Sequence, residues 1–372
     1  MPSPYRWLTC WLCAALLAPL LGAAGEPGPG AAVEPNLELI GAPQAWARGV
    51  TGQGVVIAVL DTGVDLSQPD LAARWRGGSN SWFDPYGQHP DQPVDLSGHG
   101  TQMLGVILGG AAGGTQVGVA PGARWIAARL FDDRGRATTA AIHAALRWVL
   151  DPDGDPATAD APQVVNNSWS SIKALCDPEF QPDLQALRAA GILPIFAAGE
   201  NAPPSPASLP EAFAVGALGG PTTLAADSAR GPTHCGTEPG LFPALVAPSV
   251  DIRTTDRDGL YGVYAGSSIA AAHVSGALAL ILSAQPGLTA DEQAEALRAT
   301  AVDLGETGPD NVFGYGRLDA GAAVAYVRPA AAWAGPVMLA LSALVILGLA
   351  ARWGWRLSHR KAHLPHAPNL LD

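Results

Sequence analysis

Apolar residues along the chain fall in short continuous runs that end at small or polar residues. The first run, residues 55–60, is rich in β-branched side chains and ends at Asp61-Thr62-Gly63. Similar runs occur at residues 163–166, 192–198, 212–217 and 244–247. Apolar runs of this length without alternation predict strands buried on both faces, as in a parallel sheet.

Stretches with helical patterns lie between these predicted strands. They cover residues 138–150, 182–190 and 268–285. Strand and helix therefore alternate, which predicts an α/β fold with a mostly parallel central sheet. In such folds the functional residues gather at the carboxyl ends of the strands.

The N-terminal region has two parts. Residues 7–21 are apolar and are followed by small side chains, which predicts a secretory signal peptide over residues 1–24. An uncleaved anchor is the alternative. Residues 25–38 are rich in Gly, Pro and Ala and predict a flexible leader, so the ordered domain is expected to span residues 39–326.

A second long apolar segment lies near the C-terminus. Residues 329–351 carry no charge, and we predict a transmembrane helix over residues 331–351 that contacts the lipid bilayer. Residues 352–372 contain four basic residues and predict a cytoplasmic tail, which places the domain outside a cell membrane as a single-pass protein. A buried core helix is the alternative for the apolar segment.

Composition and charge exclude several functional classes. Hydrophobic residues make up 48% of the 372 residues and charged residues 15%, so the chain can bury a large core. Residues 25–330 hold 32 acidic and 16 basic residues, leaving a formal charge of −16. That charge would repel a phosphate backbone, so we expect no nucleic acid partner. The four cysteines lack the spacing of a structural zinc site, and we predict no catalytic metal.

Three segments with different catalytic side chains occur where this fold would place a site. Asp61 follows the first predicted strand, although the same tripeptide also occurs in simple strand-ending turns. His99 lies between two glycines at the start of a helical run, a setting that a buried structural histidine does not usually need. Ser268 opens a helix among small residues, where the helix N-terminus polarises a hydroxyl.

Taken in chain order, these Asp, His and Ser segments resemble the subtilisin family of serine proteases. The resemblance covers about residues 39–326 and rests on further motifs in family order: residues 59–63, 99–101, 167–169, 197–199, 206–208, 214–217 and 230–232. The stretch 151–155 before residues 166–169 looks closest to the bacillopeptidase F-like branch. The resemblance implies the three-layer subtilisin fold.

The resemblance also implies the chemistry. Ser268 would attack a peptide carbonyl, His99 would move the proton, and Asp61 would hold the imidazole, with no cofactor required. The family's substrate strand corresponds to Ser168-Trp169-Ser170, and Gly199 would lie in the other wall of the pocket. The expected substrate is an extended protein or peptide, and the expected activity is that of an exported, membrane-anchored endopeptidase.

One departure from the family pattern affects catalysis directly. The family's oxyanion Asn follows Ala-Ala-Gly, but here that position is Glu200, and Asn201 comes next. Asn201 could supply the donor if the loop is shorter, Glu200 could donate as a protonated acid, or the oxyanion hole could be impaired. The last case would make the chain a catalytically impaired binding module. A dedicated processing enzyme with one substrate is a further alternative.

Two further features stay open. Cys176 and Cys235 could form a disulfide in an oxidising compartment, or remain free thiols. Asp151, Asp153 and Asp155 have alternating spacing that could bind a structural calcium ion, although a solvated acidic loop is the alternative.

Overall fold

The computed structural model describes residues 31–170, 175–236 and 238–328. The strands are β1 (Ala32–Val33), β2 (Val56–Asp61), β3 (Trp82–Phe83), β4 (Thr115–Gln116), β5 (Arg124–Arg129), β6 (Val164–Asn167), β7 (Pro194–Ala197), β8 (Phe213–Leu218), β9 (Leu245–Pro248), β10 (Ile252–Thr255) and β11 (Tyr261–Tyr264). The α-helices are α1 (Pro35–Leu39), α2 (Ala42–Trp46), α3 (Pro69–Ala72), α4 (His99–Leu108), α5 (Thr139–Trp148), α6 (Gln181–Ala189), α7 (Ser267–Ala284), α8 (Ala290–Ala299) and α9 (Ala320–Val327).

A seven-stranded sheet forms the centre of the domain, in the order β3-β5-β2-β6-β7-β8-β9. Every neighbouring pair in this sheet is parallel. Strands β10 and β11 form a separate antiparallel hairpin, and β1 pairs with β4. The sequence-based prediction of an α/β fold with a mostly parallel central sheet is therefore confirmed.

The sheet separates two hydrophobic cores. Along β2, Ile57 and Val59 enter the core formed with α4 and α7, whereas Ala58 and Leu60 enter the core formed with α5 and α6. Successive side chains of a strand point to opposite faces, so an unbroken apolar run fills both cores. The resulting helix–sheet–helix arrangement confirms the three-layer fold. Full burial of each large aliphatic side chain contributes about 1.5–3 kcal/mol.

The strand order also determines where a crevice opens. The chain runs from β2 to β5 on one side and returns to β6 on the other. A crevice therefore forms outside the carboxyl ends of β2 and β6. Asp61 is the last residue of β2, and Ser168 directly follows β6.

The predicted flexible leader over residues 25–38 is wrong for residues 32–38, which belong to the folded domain, whereas residues 25–30 lie outside the described residues. Strand β1 pairs with β4, and Leu37 of α1 is fully buried. Asn36 Nδ2 lies 2.8 Å from Nε2 of the fully buried His273 of α7. These long-range contacts order residues 32–38, for which the sequence predicted flexibility. The predicted signal peptide lies outside the described residues.

The predicted transmembrane helix over residues 331–351 and the predicted tail also lie outside the described residues. Within the described ranges, α7 is the one helix long and apolar enough to cross a membrane, and 89% of it is buried inside the domain. Helix α7 is therefore the central core helix, and it carries Ser268 as its second residue.

Candidate active site

Asp61 and His99 form a tight hydrogen-bonded pair at the carboxyl end of β2. The distance between Asp61 Oδ1 and His99 Nδ1 is 2.7 Å, and the Asp61 side chain is only 2% exposed. The same oxygen accepts a hydrogen bond from the Thr62 N–H at 2.7 Å. A buried carboxylate on Nδ1 fixes the neutral ring as the Nδ1–H tautomer, which leaves Nε2 free to accept a proton.

The two glycines beside His99 allow this pair to form. Gly98 precedes α4 with φ of 99°, in the left-handed region that glycine tolerates. A Cβ on Gly100 would lie 2.1 Å from the carbonyl oxygen of Gly63 and 3.2 Å from Asp61 Cβ. Helix α4 can therefore approach the end of β2 only because residue 100 has no side chain.

Asp95 organises the start of α4, a role that the sequence analysis missed. Its Oδ1 accepts hydrogen bonds from the Thr62 hydroxyl and from the Gly98 N–H, and its Oδ2 accepts two from Thr101. The side chain is buried. Because Thr62 in turn accepts from the Gly100 N–H at 2.9 Å, Asp95 fixes the loop after β2 against the helix that carries His99.

The electrostatic environment favours proton acceptance by His99. The charge of Asp61 raises the pKa of His99 above its ordinary value, although burial acts in the opposite direction. The imidazole is 35% exposed, so a substrate can reach it. Its raised pKa and open face suit a general base.

Ser268 lies at the N-terminal end of α7, on the neighbouring side of the crevice. Its hydroxyl donates to the carbonyl oxygen of Ser168 at 3.2 Å, and the Ser168 hydroxyl donates to the carbonyl oxygen of Ser268 at 3.0 Å. Within the described residues, no hydrogen bond joins Ser268 Oγ to His99. The predicted site residues Asp61 and His99 are thus in direct contact, whereas Ser268 contacts the predicted substrate strand.

In the segment after β6, the largest side chain, Trp169, points into the core, and the backbone lies beside Ser268. Trp169 is 8% exposed and packs edge-on against Phe180 and Phe196, with ring centroids 5.7 and 5.4 Å away. Ser168 is buried and Ser170 is exposed. Because the indole anchors the segment in the core, the backbone of residues 168–170 is held in place beside Ser268.

Gly199 follows β7 and faces the same end of α7. It has φ of 77°, and a Cβ there would lie 2.7 Å from Cγ of Pro204. Its N–H donates to Oγ of Ser267 at 3.2 Å. The predicted pocket wall is therefore tied by a hydrogen bond to the residue preceding the candidate nucleophile.

Residues 52–316 match the subtilase family, a match that covers well over half of the chain. The chain belongs to the subtilase family. Bacillopeptidase F of Bacillus subtilis (strain 168) is 37% identical over 327 residues, which cover 79% of this chain and 22% of that relative. Subtilisin E of the same organism is 32% identical over 294 residues, covering 76% of this chain and 68% of the relative.

The subtilisin-like protease PopC of Myxococcus xanthus (strain DK1622) is 30% identical over 312 residues, covering 77% of this chain and 64% of that relative. The chain therefore spans about a fifth of bacillopeptidase F and about two thirds of the two others. Membership of this family confirms the resemblance found in the sequence and identifies a serine protease domain.

Glu200 and Asn201, the two candidate donors to the oxyanion, lie in different environments. Glu200 Oε1 accepts a hydrogen bond from the Ser267 hydroxyl at 3.2 Å. Asn201 has φ of 64°, its N–H donates to the Asp227 carbonyl at 2.7 Å, and its side chain is exposed. Within the described residues, the side chain of Glu200 forms a hydrogen bond with the start of α7, and that of Asn201 does not.

The acidic loop after α5 brings together a different set of carboxylates from the one predicted. Oxygens of Asp151, Asp153 and Asp160 lie within 4.8 Å of one another and could hold a cation. Asp155 instead accepts a hydrogen bond from the Ala157 N–H, so Asp160 takes its place in the cluster. A structural calcium ion remains a prediction for this loop.

The question of the two cysteines is answered by the structure. Cys176 and Cys235 are joined by a disulfide bond across a sequence separation of 59 residues. The bond connects the loop that follows the 168–170 segment to the loop between β8 and β9. It therefore closes a covalent loop between two irregular segments that are far apart in sequence.

Proposed function

We propose that this subtilase is an exported, membrane-anchored serine endopeptidase that cleaves extended polypeptides with Asp61, His99 and Ser268. The observation that carries the proposal is the 2.7 Å contact between the buried Asp61 carboxylate and His99 Nδ1, which leaves Nε2 as the proton acceptor. The family relationship supports the same chemistry, and the exposed face of the imidazole supports access by substrate.

In the proposed reaction, Ser268 Oγ leaves the Ser168 carbonyl and gives its proton to His99 Nε2. The oxygen attacks the peptide carbonyl carbon, and its C–O bond forms as the carbonyl π electrons move onto oxygen. His99 then passes the proton to the leaving amine as the C–N bond breaks, and water later hydrolyses the acyl-enzyme. Asp61 stays ionised and stabilises the imidazolium.

The backbone of residues 168–170 would pair with the substrate as an added strand. This mode requires an extended substrate backbone and fits the anchored position of that segment beside Ser268. The residues that we expect to anchor the domain in the bilayer are 331–351, with residues 1–24 directing export.

Labelling with a fluorophosphonate tests the nucleophile in the full chain. We expect the wild-type protein to label and Ser268→Ala to lose labelling. Ser283→Ala is the matched control, because Ser283 lies on the same helix but bonds to the Gln53 carbonyl far along the chain. Equal labelling of wild type and Ser268→Ala would refute the assignment of the nucleophile.

Fractionation tests the anchor separately. The full chain should remain with membranes in alkaline carbonate, and deletion of residues 331–351 should release the domain. Release of the undeleted protein would contradict the anchored topology without affecting the proposed chemistry.

A catalytically impaired binding module is the second candidate, because Glu200 lies where the family has an amide donor. An ionised carboxylate there would oppose the developing oxyanion. Labelling also separates this candidate from the first, since an impaired module would remain unlabelled while Glu200→Asn gains reactivity.

A further inference from the structure

A cavity of about 320 Å³ opens beside the Asp61–His99 pair. Its lining includes Thr62, which directly follows Asp61, and Ser97, which lies two positions before His99. Most of the remaining lining comes from the segment 129–135, at the end of β5 and in the loop after it. The volume lies in the range of ligand-binding pockets. The cavity therefore adjoins the catalytic pair and can receive part of a substrate.

The order of the strands places this cavity on the opposite side of the substrate from Gly199. Residues 168–170, the expected partner of the substrate backbone, follow β6, and Gly199 follows β7. Strands β2 and β5, which lead into the cavity, lie on the other side of β6. Successive side chains of an extended chain point to opposite sides. Since the residue before the cleaved bond is expected to face Gly199, the second residue before that bond should face the cavity.

Hydrogen bonds fix the part of the cavity wall that precedes α4. Asp95 Oδ1 accepts a hydrogen bond from the Ser97 N–H at 3.0 Å, and Arg257 Nη1 donates to the Leu96 carbonyl at 2.8 Å. This part of the wall is thus formed before a substrate arrives, so binding requires little further ordering of it.

Two aspartates of the loop after β5 line the cavity and are ionised. Asp132 accepts hydrogen bonds from the guanidinium and the backbone N–H of Arg136, which lower the pKa of Asp132 from 3.8 to about 2. Asp133 Oδ1 accepts a hydrogen bond from Arg129 Nη2 at 2.5 Å, and this bond lowers the pKa of Asp133. Both side chains therefore carry a negative charge at neutral pH.

The charges around the cavity favour a substrate cation over a substrate anion. Arg129 is the one cationic residue in the described lining, but its side chain is 2% exposed, pairs with Asp133 and lies 3.8 Å from Asp84. Asp133 is 41% exposed, and its Oδ2 accepts no hydrogen bond within the described residues. The three acids Asp84, Asp132 and Asp133 outnumber the cations Arg129 and Arg136 by one. A substrate cation can therefore reach an unbalanced carboxylate, whereas a substrate carboxylate would meet like charge.

The cavity also offers apolar surface. Leu96 lines it and is 49% exposed, and Phe131 lines it and is partly buried. Lysine and arginine carry an aliphatic stem that packs on such surface while the charged head stays accessible. A long basic side chain can therefore use both the apolar and the acidic parts of the lining.

We propose that Asp133, together with Asp132, determines specificity by selecting lysine or arginine as the second residue before the cleaved bond. The inference rests on the proposed function. The basic head pairs with the exposed carboxylate of Asp133, Asp132 adds to the negative potential, and the aliphatic stem lies on Leu96 and Phe131. The substrates are then extended polypeptides with a basic residue at that position.

The experiment measures kcat/KM of the full chain in detergent on fluorogenic tetrapeptide amides. The second residue before the cleaved bond is Lys, Arg, Leu or Glu, and every other position carries the same equimolar mixture of residues. For the wild type we expect the Lys and Arg peptides to exceed the Leu peptide by about fivefold, the effect of one partly exposed ion pair, and the Glu peptide to fall below it.

Three variants locate the origin of this preference. Asp133→Asn should remove most of it, and Ser97→Lys, which adds a cation to the lining at an exposed position, should reverse it toward the Glu peptide. Glu295→Gln is the matched control and should keep the wild-type ratio, because Glu295 is exposed on α8, lies outside the lining and makes no hydrogen bond within the described residues. Each ratio compares two peptides on the same protein, so a partial loss of folded enzyme cancels.

Two results would overturn the inference and leave the proposed function intact. One is a wild-type chain that labels with the fluorophosphonate and cleaves the Lys, Leu and Glu peptides equally well. The other is a preference for Lys that persists in Asp133→Asn and Ser97→Lys, since its origin would then lie outside this cavity. If Asp133→Asn does not fold, the ratio in Ser97→Lys decides. A wild-type chain that neither labels nor cleaves any peptide would refute the proposed protease function, and the inference with it.

Discussion

Substitution of Gly100 by alanine tests whether the close approach of α4 to β2 creates the Asp61–His99 pair. The new Cβ would lie 2.1 Å from the Gly63 carbonyl oxygen. Carbon and oxygen normally approach no closer than about 3.3 Å, so the start of α4 must move by about 1 Å. Moved away from Asp61 by that amount, His99 Nδ1 would pass from 2.7 Å to outside hydrogen-bond range.

The expected effect is a loss of reactivity with the fold retained. A displacement of about 1 Å in a catalytic group typically costs about 10²-fold in rate. The rest of α4 is anchored by the fully buried Leu104 and Ile107, so the helix should persist. Because Asp61 is the main cause of the raised pKa of His99, that pKa should also fall, and the acid limb of the rate profile should move to lower pH.

The assay is the fluorophosphonate labelling rate as a function of pH, with thermal unfolding as a check on folding. Gly220→Ala is the matched control, because the nearest side-chain atoms to a Cβ there lie 4.0 Å away. If Gly100→Ala labels as fast as Gly220→Ala and keeps the same acid limb, the close approach of α4 does not create the Asp61–His99 pair.

Two predictions concern stability. Burial lowers the pKa of His273 from 6.5 to about 4, so the folded state favours the neutral ring. The neutral ring therefore contributes about 3 kcal/mol to the free energy of unfolding above pH 6.5, and this contribution is lost as pH falls toward 4. Urea unfolding at several pH values should show that His273→Gln loses this dependence; an unchanged slope would contradict it. Arg129 is 2% exposed, pairs with Asp133 at 2.5 Å and lies 3.8 Å from the fully buried side chain of Asp84, so Arg129→Ala should cost about 3–5 kcal/mol in urea unfolding. Arg136 is 65% exposed, so Arg136→Ala should cost below about 1 kcal/mol. Equal losses in the two arginine variants would contradict this account.

The central strands could be predicted from sequence because they are apolar on both faces. Strand β2 is an unbroken run of six residues ending in Asp61, and β6, β7, β8 and β9 give similar signals. Strand β5 escaped prediction although it pairs with β2 along its whole length. It begins with the exposed Arg124 and ends with the buried Arg129, so charge interrupts the apolar pattern at both ends.

The start of the domain could not be predicted because its order comes from distant partners. Composition alone made residues 25–38 a leader, but Asn36 bonds to His273 across 237 positions and Glu34 meets Gln116 through its backbone. The same limit applies to the acidic loop, where Asp160 rather than Asp155 joins Asp151. Local spacing identifies side chains of one kind, but the turn between them decides which ones meet.

The sequence motif that precedes Glu200 and Asn201 does not determine which of these two residues faces the candidate site. Asp61 and His99 could be proposed from sequence because Asp61 ends a central strand and His99 begins a helix, so the position of each depends on the sheet. Glu200 and Asn201 follow β7 within a loop, where a single residue of difference in length exchanges their roles. The hydrogen bond from Ser267 to Glu200 is a tertiary contact between residues 67 positions apart. Sequence could therefore offer both residues as donors, whereas only the folded chain shows that the side chain of Glu200 contacts the start of α7.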